Sequence, residues 1–417
     1  MNRPPIFQSS AFAPFRSQEF RYLLLTRLCS SLAGSALVIV IGYQVYQLTH
    51  DPLALGLLGL VEAIPALSLA LLGGHFADRH DRRRIVLATQ LVEMVCVLSY
   101  VFISLDVSRL GMTALYAVAF VVGIARGFSN PASSAFEAQV IPQHWYAQAA
   151  AIMSSAGTIV SISGPVLGGL SYAAFGPTVT FALISVAFAL SFIGLLLIAP
   201  KPMPPAAEDE SIWQSIAAGV KYVWNDQILI GSMSLDLFAV LFGGAIALLP
   251  VFASDILKTG PAGYGLLVAA PTVGVLLSSL WCARNPPLRN TGRTLLFCVA
   301  GFGLSIIAFG LSRDMLLSWA ALMGTGIFDG VSMVIRSTIV RTFSPEAMRA
   351  RIASVEWIFI GASNEVGAFE SGVAAKALGA APAVVAGGIV TLLVVAMVTW
   401  RARQLRNLSM RVIPYEV

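Results

Sequence analysis

Apolar positions along this chain neither alternate with polar ones at a period of two nor keep to a single face of a 3.6-residue helix. They run on for about 20 residues at a time, the length a helix needs to cross roughly 30 Å of hydrocarbon. Twelve runs qualify: Phe20–Gln47, Pro52–Ala77, Ile85–Leu105, Met112–Ala135, Ala149–Tyr172, Pro177–Ala199, Ile228–Phe252, Tyr264–Ala283, Thr294–Leu311, Met315–Phe343, Ser354–Ala377 and Ala381–Trp400. The pattern predicts an all-α membrane protein with twelve transmembrane helices. Strands of a membrane barrel would be about ten residues long with period-two alternation, which these runs lack. The first run starts behind a polar, proline-containing segment and is long enough to span, so no cleavable signal peptide is expected.

Composition removes the alternatives. Of 417 residues, 57% are apolar or aromatic and 11% charged, with mean hydropathy +0.81, whereas a soluble domain carries about 25% charged residues. A soluble enzyme, a disordered chain and a secreted disulfide scaffold are excluded. Cys29, Cys96, Cys282 and Cys298 fall in spans or at a span end with no metal-ligand spacing, and read as small buried hydrophobes.

Lys and Arg sort to one side. With the N-terminus inside, nineteen lie on the inner side, including Arg79, Arg82, Arg83, Arg84, Arg401, Arg403 and Arg406; only Arg109, Lys258, Arg313 and Lys376 lie on the other. Short cytoplasmic loops accumulate basic residues, so both termini are assigned to the cytoplasm. The net charge of +5 is this bias and not a nucleic-acid footprint, since no basic groove interleaved with aromatics accompanies it.

One extended polar stretch divides the chain. It predicts an N-terminal six-helix bundle over 1–199, a cytoplasmic linker over 200–227 and a C-terminal six-helix bundle with its tail over 228–417. Within the linker, Ile212, Trp213, Ile216, Val220, Val223 and Trp224 fall near one face, predicting a helix on the inner membrane surface. The halves look duplicated. A shift of 203 residues aligns Gly127 with Gly330, Pro142 with Pro345, Gly164 with Gly367, Gly169 with Gly372 and Gly176 with Gly379. Parallel repeats of this kind predict two pseudo-twofold related bundles with the substrate site between them.

The loop after the second span reads Gly74-His75-Phe76-Ala77-Asp78-Arg79-His80-Asp81-Arg82-Arg83. It resembles the signature of the major facilitator superfamily between its second and third helices, with Asp81 where that pattern usually has Gly. Gly164-Pro165-Val166-Leu167-Gly168-Gly169 resembles the core of the superfamily's antiporter motif, without the glycines expected further upstream. The stretches Tyr46-Gln47-Leu48-Thr49-His50 and Pro345-Glu346-Ala347-Met348, with Arg351-Ile352, carry the likeness to the bacterial enterobactin exporter and macrolide efflux family. That resemblance implies the major facilitator fold in a bacterial inner membrane, and outward movement of an amphiphilic organic compound, siderophore or drug-like, in exchange for protons.

The loop also has a physical reading. Asp78 ends a helix at the cytoplasmic face, where a carboxylate can accept hydrogen bonds from a helix N-terminus such as that of span eleven near Ser354 and act as a gate. Arg79, Arg82, Arg83 and Arg84 hold the turn or simply anchor it against anionic lipid. The glycines of span five permit close helix approach at the interface between halves, and Pro165 supplies a kink; ordinary bundle packing is the alternative.

Ionisable groups inside a span cost several kcal/mol and mark candidate sites. In the superfamily's architecture spans one, four, seven and ten line the cavity, and these carry Arg27, Arg126, Asp236, and Asp329 with Arg336. Arg126 and Asp329 are equivalent in the 203-residue frame and are expected to face one another, with Asp329 either taking up a proton when the pair separates or locked in a permanent salt bridge. Arg336, seven residues on, continues the Asp329 stripe about 10 Å toward the cytoplasm. Asp236 has no cationic neighbour in sequence and reads as a proton carrier. Arg27 reads as an anion or carboxylate partner, or as a snorkelling side chain. Glu62, and Glu365 with Asn364, read as proton-binding or gating groups, or as interhelical hydrogen bonds. Glu356 and Glu370 are nearer span ends, and Glu93, on a peripheral span, is read as structural.

These readings combine into a secondary transporter working by alternating access, with a small-molecule substrate, protons as coupling ion, membrane lipid around it, and no cofactor, metal or nucleic acid. Uptake or flipping of a metabolite or lipid is the rival on the same scaffold, and a membrane sensor a more distant one. No phosphate-binding Gly-x-x-x-x-Gly-Lys-Ser/Thr loop is present, and His50, His75, His80 and His144 lie in loops or at span ends, so enzymatic activity is not expected.

Overall fold

The computed structural model describes residues 12–202, 220–287, 289–345 and 348–410. The helices are α1 (Gln18–Thr49), α2 (Pro52–Arg79), α3 (Arg82–Leu105), α4 (Val107–Val140), α5 (Tyr146–Leu196), α6 (Gln227–Phe242), α7 (Gly260–Arg284), α8 (Thr291–Leu311), α9 (Met315–Phe343), α10 (Arg349–Leu378) and α11 (Ala380–Arg401). Among the described residues ten segments are long and apolar enough to cross a membrane. One, Gln143–Leu196, is 54 residues long and makes two crossings. The more polar α10 supplies the twelfth.

Short-range chemistry sets the ends. Asp51, Asp81, Asp226 and Asp314 stand just before α2, α3, α6 and α9, and each carboxylate accepts from backbone N–H groups of the first turn. Asp81 therefore needs no left-handed backbone; at φ −61° it caps a helix that a glycine would leave uncapped. Two hairpins have almost no loop. Gly176 (φ 75°) splits α5 into two arms, and Gly379 (φ 91°) stands between α10 and α11. Both adopt a backbone that side-chain-bearing residues avoid, and they are equivalent in the 203-residue frame.

Contacts group the chain into two compact units: Met1–Val40 with Val61–Ala207, and Ile41–Leu60 with Glu208–Val417. The first has a core around Leu23, Ala77, Val86, Phe136 and Leu195. The second is centred on Leu229, Leu235, Leu295, Ile335, Ile339 and Val355, with α9 lying along α7 and α8, and α8 along α11. Exposed Leu98, Phe102, Leu183, Leu190, Phe297, Leu304 and Leu393 leave apolar flanks on α3, the second arm of α5, α8 and α11, as lipid contact requires.

One expectation meets a different structure. Span seven is interrupted: α6 stops at Phe242, Gly243 and Gly244 are unwound, and the chain resumes in short helical pieces ending in a π-type turn at Phe252–Ile256. For the surface helix expected over 211–224, residues 211–219 lie outside the described residues. Residues 220–225 are helical, with Val223 packed into the second core and Trp224 exposed.

Candidate functional site

The second unit buries one guanidinium between two carboxylates. Arg336 on α9 is ion-paired with Asp236 on α6, and lies 3.4 Å from Asp329, two turns earlier on its own helix. The Arg336 and Asp236 side chains are 9% and 10% exposed, Asp329 34%. Arg336 Nε has no partner among the described groups. Asp236, Asp329, Cys298, Phe328 and Ser332 line a cavity of about 10 Å³. Asp236, which has no cationic neighbour in sequence, finds its cation 100 residues on. The cluster holds two carboxylates against one cation.

The first unit holds two further pairs. Arg126 on α4 is ion-paired with Glu62 on α2, and Arg27 on α1 with Glu137 on α4 at 3.4 Å. Arg126 and Asp329, expected to face one another, each have a partner inside their own unit: α2 brings Glu62 against α4, and Asp329 has Arg336 on its own helix. On α10, Asn364 is exposed and its amide donates to the Ile360 carbonyl at 2.9 Å; Glu365 lies against Gly59 of α2.

A third polar cluster, absent from the sequence reading, ties Ile41–Leu60 to the rest of the second unit. Tyr46 Oη donates to Asp255, Gln47 Nε2 to Ser254 Oγ at 2.8 Å, and Lys376 Nζ to Asp51 Oδ2 at 2.6 Å. Lys376 holds the Asp51 carboxyl below its ordinary value. A depressed carboxylate contributes stability above its unfolded value and loses it as pH falls through the folded one. Lys376→Met is expected to lower stability at neutral pH, by less than ~1 kcal/mol for so solvent-screened a pair, and to leave it unchanged at pH 3, so that the acid limb flattens; melting curves from pH 7 to pH 3 check it.

The sequence profile of the transmembrane secretion effector family matches residues 9–414. The chain belongs to this family of the major facilitator superfamily. The enterobactin exporter EntS of Escherichia coli O1:K1 is 24% identical over 335 residues, 80% of this chain and 79% of its own length. A bacterial homologue of the human lysosomal transporter Spinster, solved inward-facing and unoccupied, superposes with TM-score 0.74 at 14% identity, covering 96% of this chain and 99% of that one. The nucleoside transporter NupG gives 0.71 at 13%, covering 93% and 98%. The fold is that of the major facilitator transporters, and this protein is a multi-pass membrane transporter.

Residues of both motifs make contacts inside the first unit. Asp78 bonds Arg82 at 3.2 Å, Arg82 Nε donates to the Ala77 carbonyl, and Arg83 donates to the Leu196 carbonyl at 2.9 Å, so the arginines close helix C-termini. Arg79 is exposed, and Gly74 faces Pro131. Gly164 and Gly168 pack against Ser35 and Ala36 of α1, with Pro165 and Gly169 buried beside them, so the motif seats α5 on the first helix. Glu137 escaped the sequence reading because span four was ended at Ala135, whereas the helix runs to Val140.

Proposed function

We propose that this transporter exports an amphiphilic organic compound across the bacterial inner membrane in exchange for protons, by alternating access, with both termini in the cytoplasm. The observation that carries the reading is the cluster of Asp236 and Asp329 on the one Arg336 cation. One carboxylate is in surplus, so a proton or a substrate cation restores neutrality, and the two compete. The relative named as an exporter supports the direction, and the one-sided distribution of Lys and Arg supports the orientation.

In the cycle, substrate binds while the cluster is ionised. A proton arriving at Asp329, the more exposed carboxylate, releases substrate, and the bundles rock. The contacts Tyr46–Asp255, Gln47–Ser254 and Asp51–Lys376 are the ones that break and re-form as the mouth on their side opens and closes. The interruption at Gly243–Gly244 breaks the helix that carries Asp236, the kind of discontinuity on which transporters build binding sites.

The test is transport in everted vesicles carrying an imposed proton gradient. Siderophores, macrolides and cationic dyes are screened first for thermal stabilisation of the purified protein. Asp329→Asn is expected to abolish gradient-driven accumulation at normal expression while retaining binding. Full gradient-driven accumulation by this variant would remove Asp329 from coupling, and accumulation indifferent to the gradient in the unmodified protein would end the antiport reading.

A further inference from the structure

Outside the cluster assigned above, the first unit holds a cavity of about 60 Å³ between α1, α3 and α4, closed by Leu195 of α5. Its polar lining includes Arg27, Gln90, Glu93, Ser129, Ser133 and Glu137. On α4, Ser129, Ser133 and Glu137 recur every four residues and form one stripe; on α3, Gln90 and Glu93 are one turn apart.

The charges around it do not close. Arg27 is matched by Glu137 and Arg126 by Glu62, which leaves Glu93. Among the described residues no hydrogen bond or ion pair engages its carboxyl, although it lies within electrostatic reach of Arg126 and Glu62. On its own helix the ionisable neighbour within reach is Cys96, which supplies no positive charge.

A second deficit lies beside it. Gln90 is 5% exposed, and its Nε2 donates to Ser191 Oγ. The Ser191 hydroxyl is committed to the Thr26 carbonyl at 2.8 Å, so it can only accept from Gln90, which fixes the amide orientation. Gln90 Oε1 is left buried without a donor, an expensive state for a carbonyl oxygen. An ionised Glu93 offers that oxygen nothing. A protonated Glu93 carries one O–H, and one proton then answers both deficits.

We infer that this cavity is a second proton site, in which Glu93 takes the proton and Gln90 Oε1 accepts the hydrogen bond from the resulting carboxyl. The assignment rests on the proton-antiport reading above but concerns a different unit and different residues. Arg27, 52% exposed in its side chain, and the serine stripe give the hydrated route to it. Binding of Na⁺ by the same oxygens is the competing outcome.

Infrared difference spectroscopy of the purified protein in lipid nanodiscs, at neutral pH and without substrate, tests it. The unmodified protein is expected to show a carboxylic C=O band that is lost completely in Glu93→Gln and retained in Glu137→Gln. In Gln90→Leu the band should persist but move to higher frequency, as a carboxyl without an acceptor does; this variant keeps the proposal open to test should Glu93→Gln fold poorly. A Glu93→Gln spectrum identical to the unmodified one, or removal of the band when Na⁺ replaces choline, would overturn the proton assignment. These outcomes are independent of Asp329→Asn transport, so the two readings can fail separately.

Discussion

Arg336→Gln is expected to cost this transporter about 3 kcal/mol of stability, the low end of what removing one partner from a buried ion pair does, and to abolish transport. The reason is asymmetry. Arg336 and Asp236 are both about nine-tenths buried, so deleting the guanidinium leaves Asp236 and Asp329 as two carboxylates with no cation beside them. Removing one negative charge as well should undo most of the loss: Arg336→Gln combined with Asp236→Asn keeps hydrogen-bonding groups in place and returns the cluster to the single negative charge of the unmodified protein, now on Asp329. Unfolding in detergent micelles for the single and double variants checks this, and a double variant as unstable as the single would show that charge is not the cause. Asp329→Asn, which leaves the Arg336–Asp236 pair intact, should fold normally.

The second large effect is expected at Gly326 and Gly123. A Cβ on Gly326 would land on the Pro271 carbonyl oxygen of α7, and one on Gly123 on the Glu62 carbonyl oxygen of α2. In each unit a proline-containing helix lies with its backbone directly on a glycine of the neighbouring helix, and a backbone oxygen in a helix cannot step aside. Gly326→Leu and Gly123→Leu should each cost about 3 kcal/mol, the upper range for overpacking. Gly157→Leu, where nothing lies within 4 Å, should be tolerated. Thermal stability and the monodisperse fraction on size exclusion separate these cases.

These two glycines also show where the sequence spoke and where it did not. They obey the same 203-residue frame as Gly127 and Gly330, so the duplication was readable, but which helix each glycine touches was not. The spans were legible because length and hydropathy alone decide whether a helix can cross a bilayer. Ion pairing is decided by helix neighbours. Repeat equivalence pointed Arg126 toward Asp329, yet Glu62 stands next to it on α2. Asp236 and Arg336 are separated by 100 residues that no periodicity bridges. Glu93 looked structural because its span is peripheral in the superfamily's plan; only the pairing of every neighbouring charge exposes it as the unmatched one. The loop signature was legible as a motif, whereas the use of Asp81 as a helix cap depends on backbone angles that the substitution for glycine does not announce.

The hairpins at Gly176 and Gly379 bear on how the protein meets its surroundings. Two helix pairs reverse direction with scarcely a residue of loop, so each hairpin offers proteases almost nothing to cut and antibodies almost nothing to grip. Epitope tags or fluorescent fusions inserted there would have to prise apart packed helices, and reporters for the transport cycle are better placed at the polar stretch between the halves.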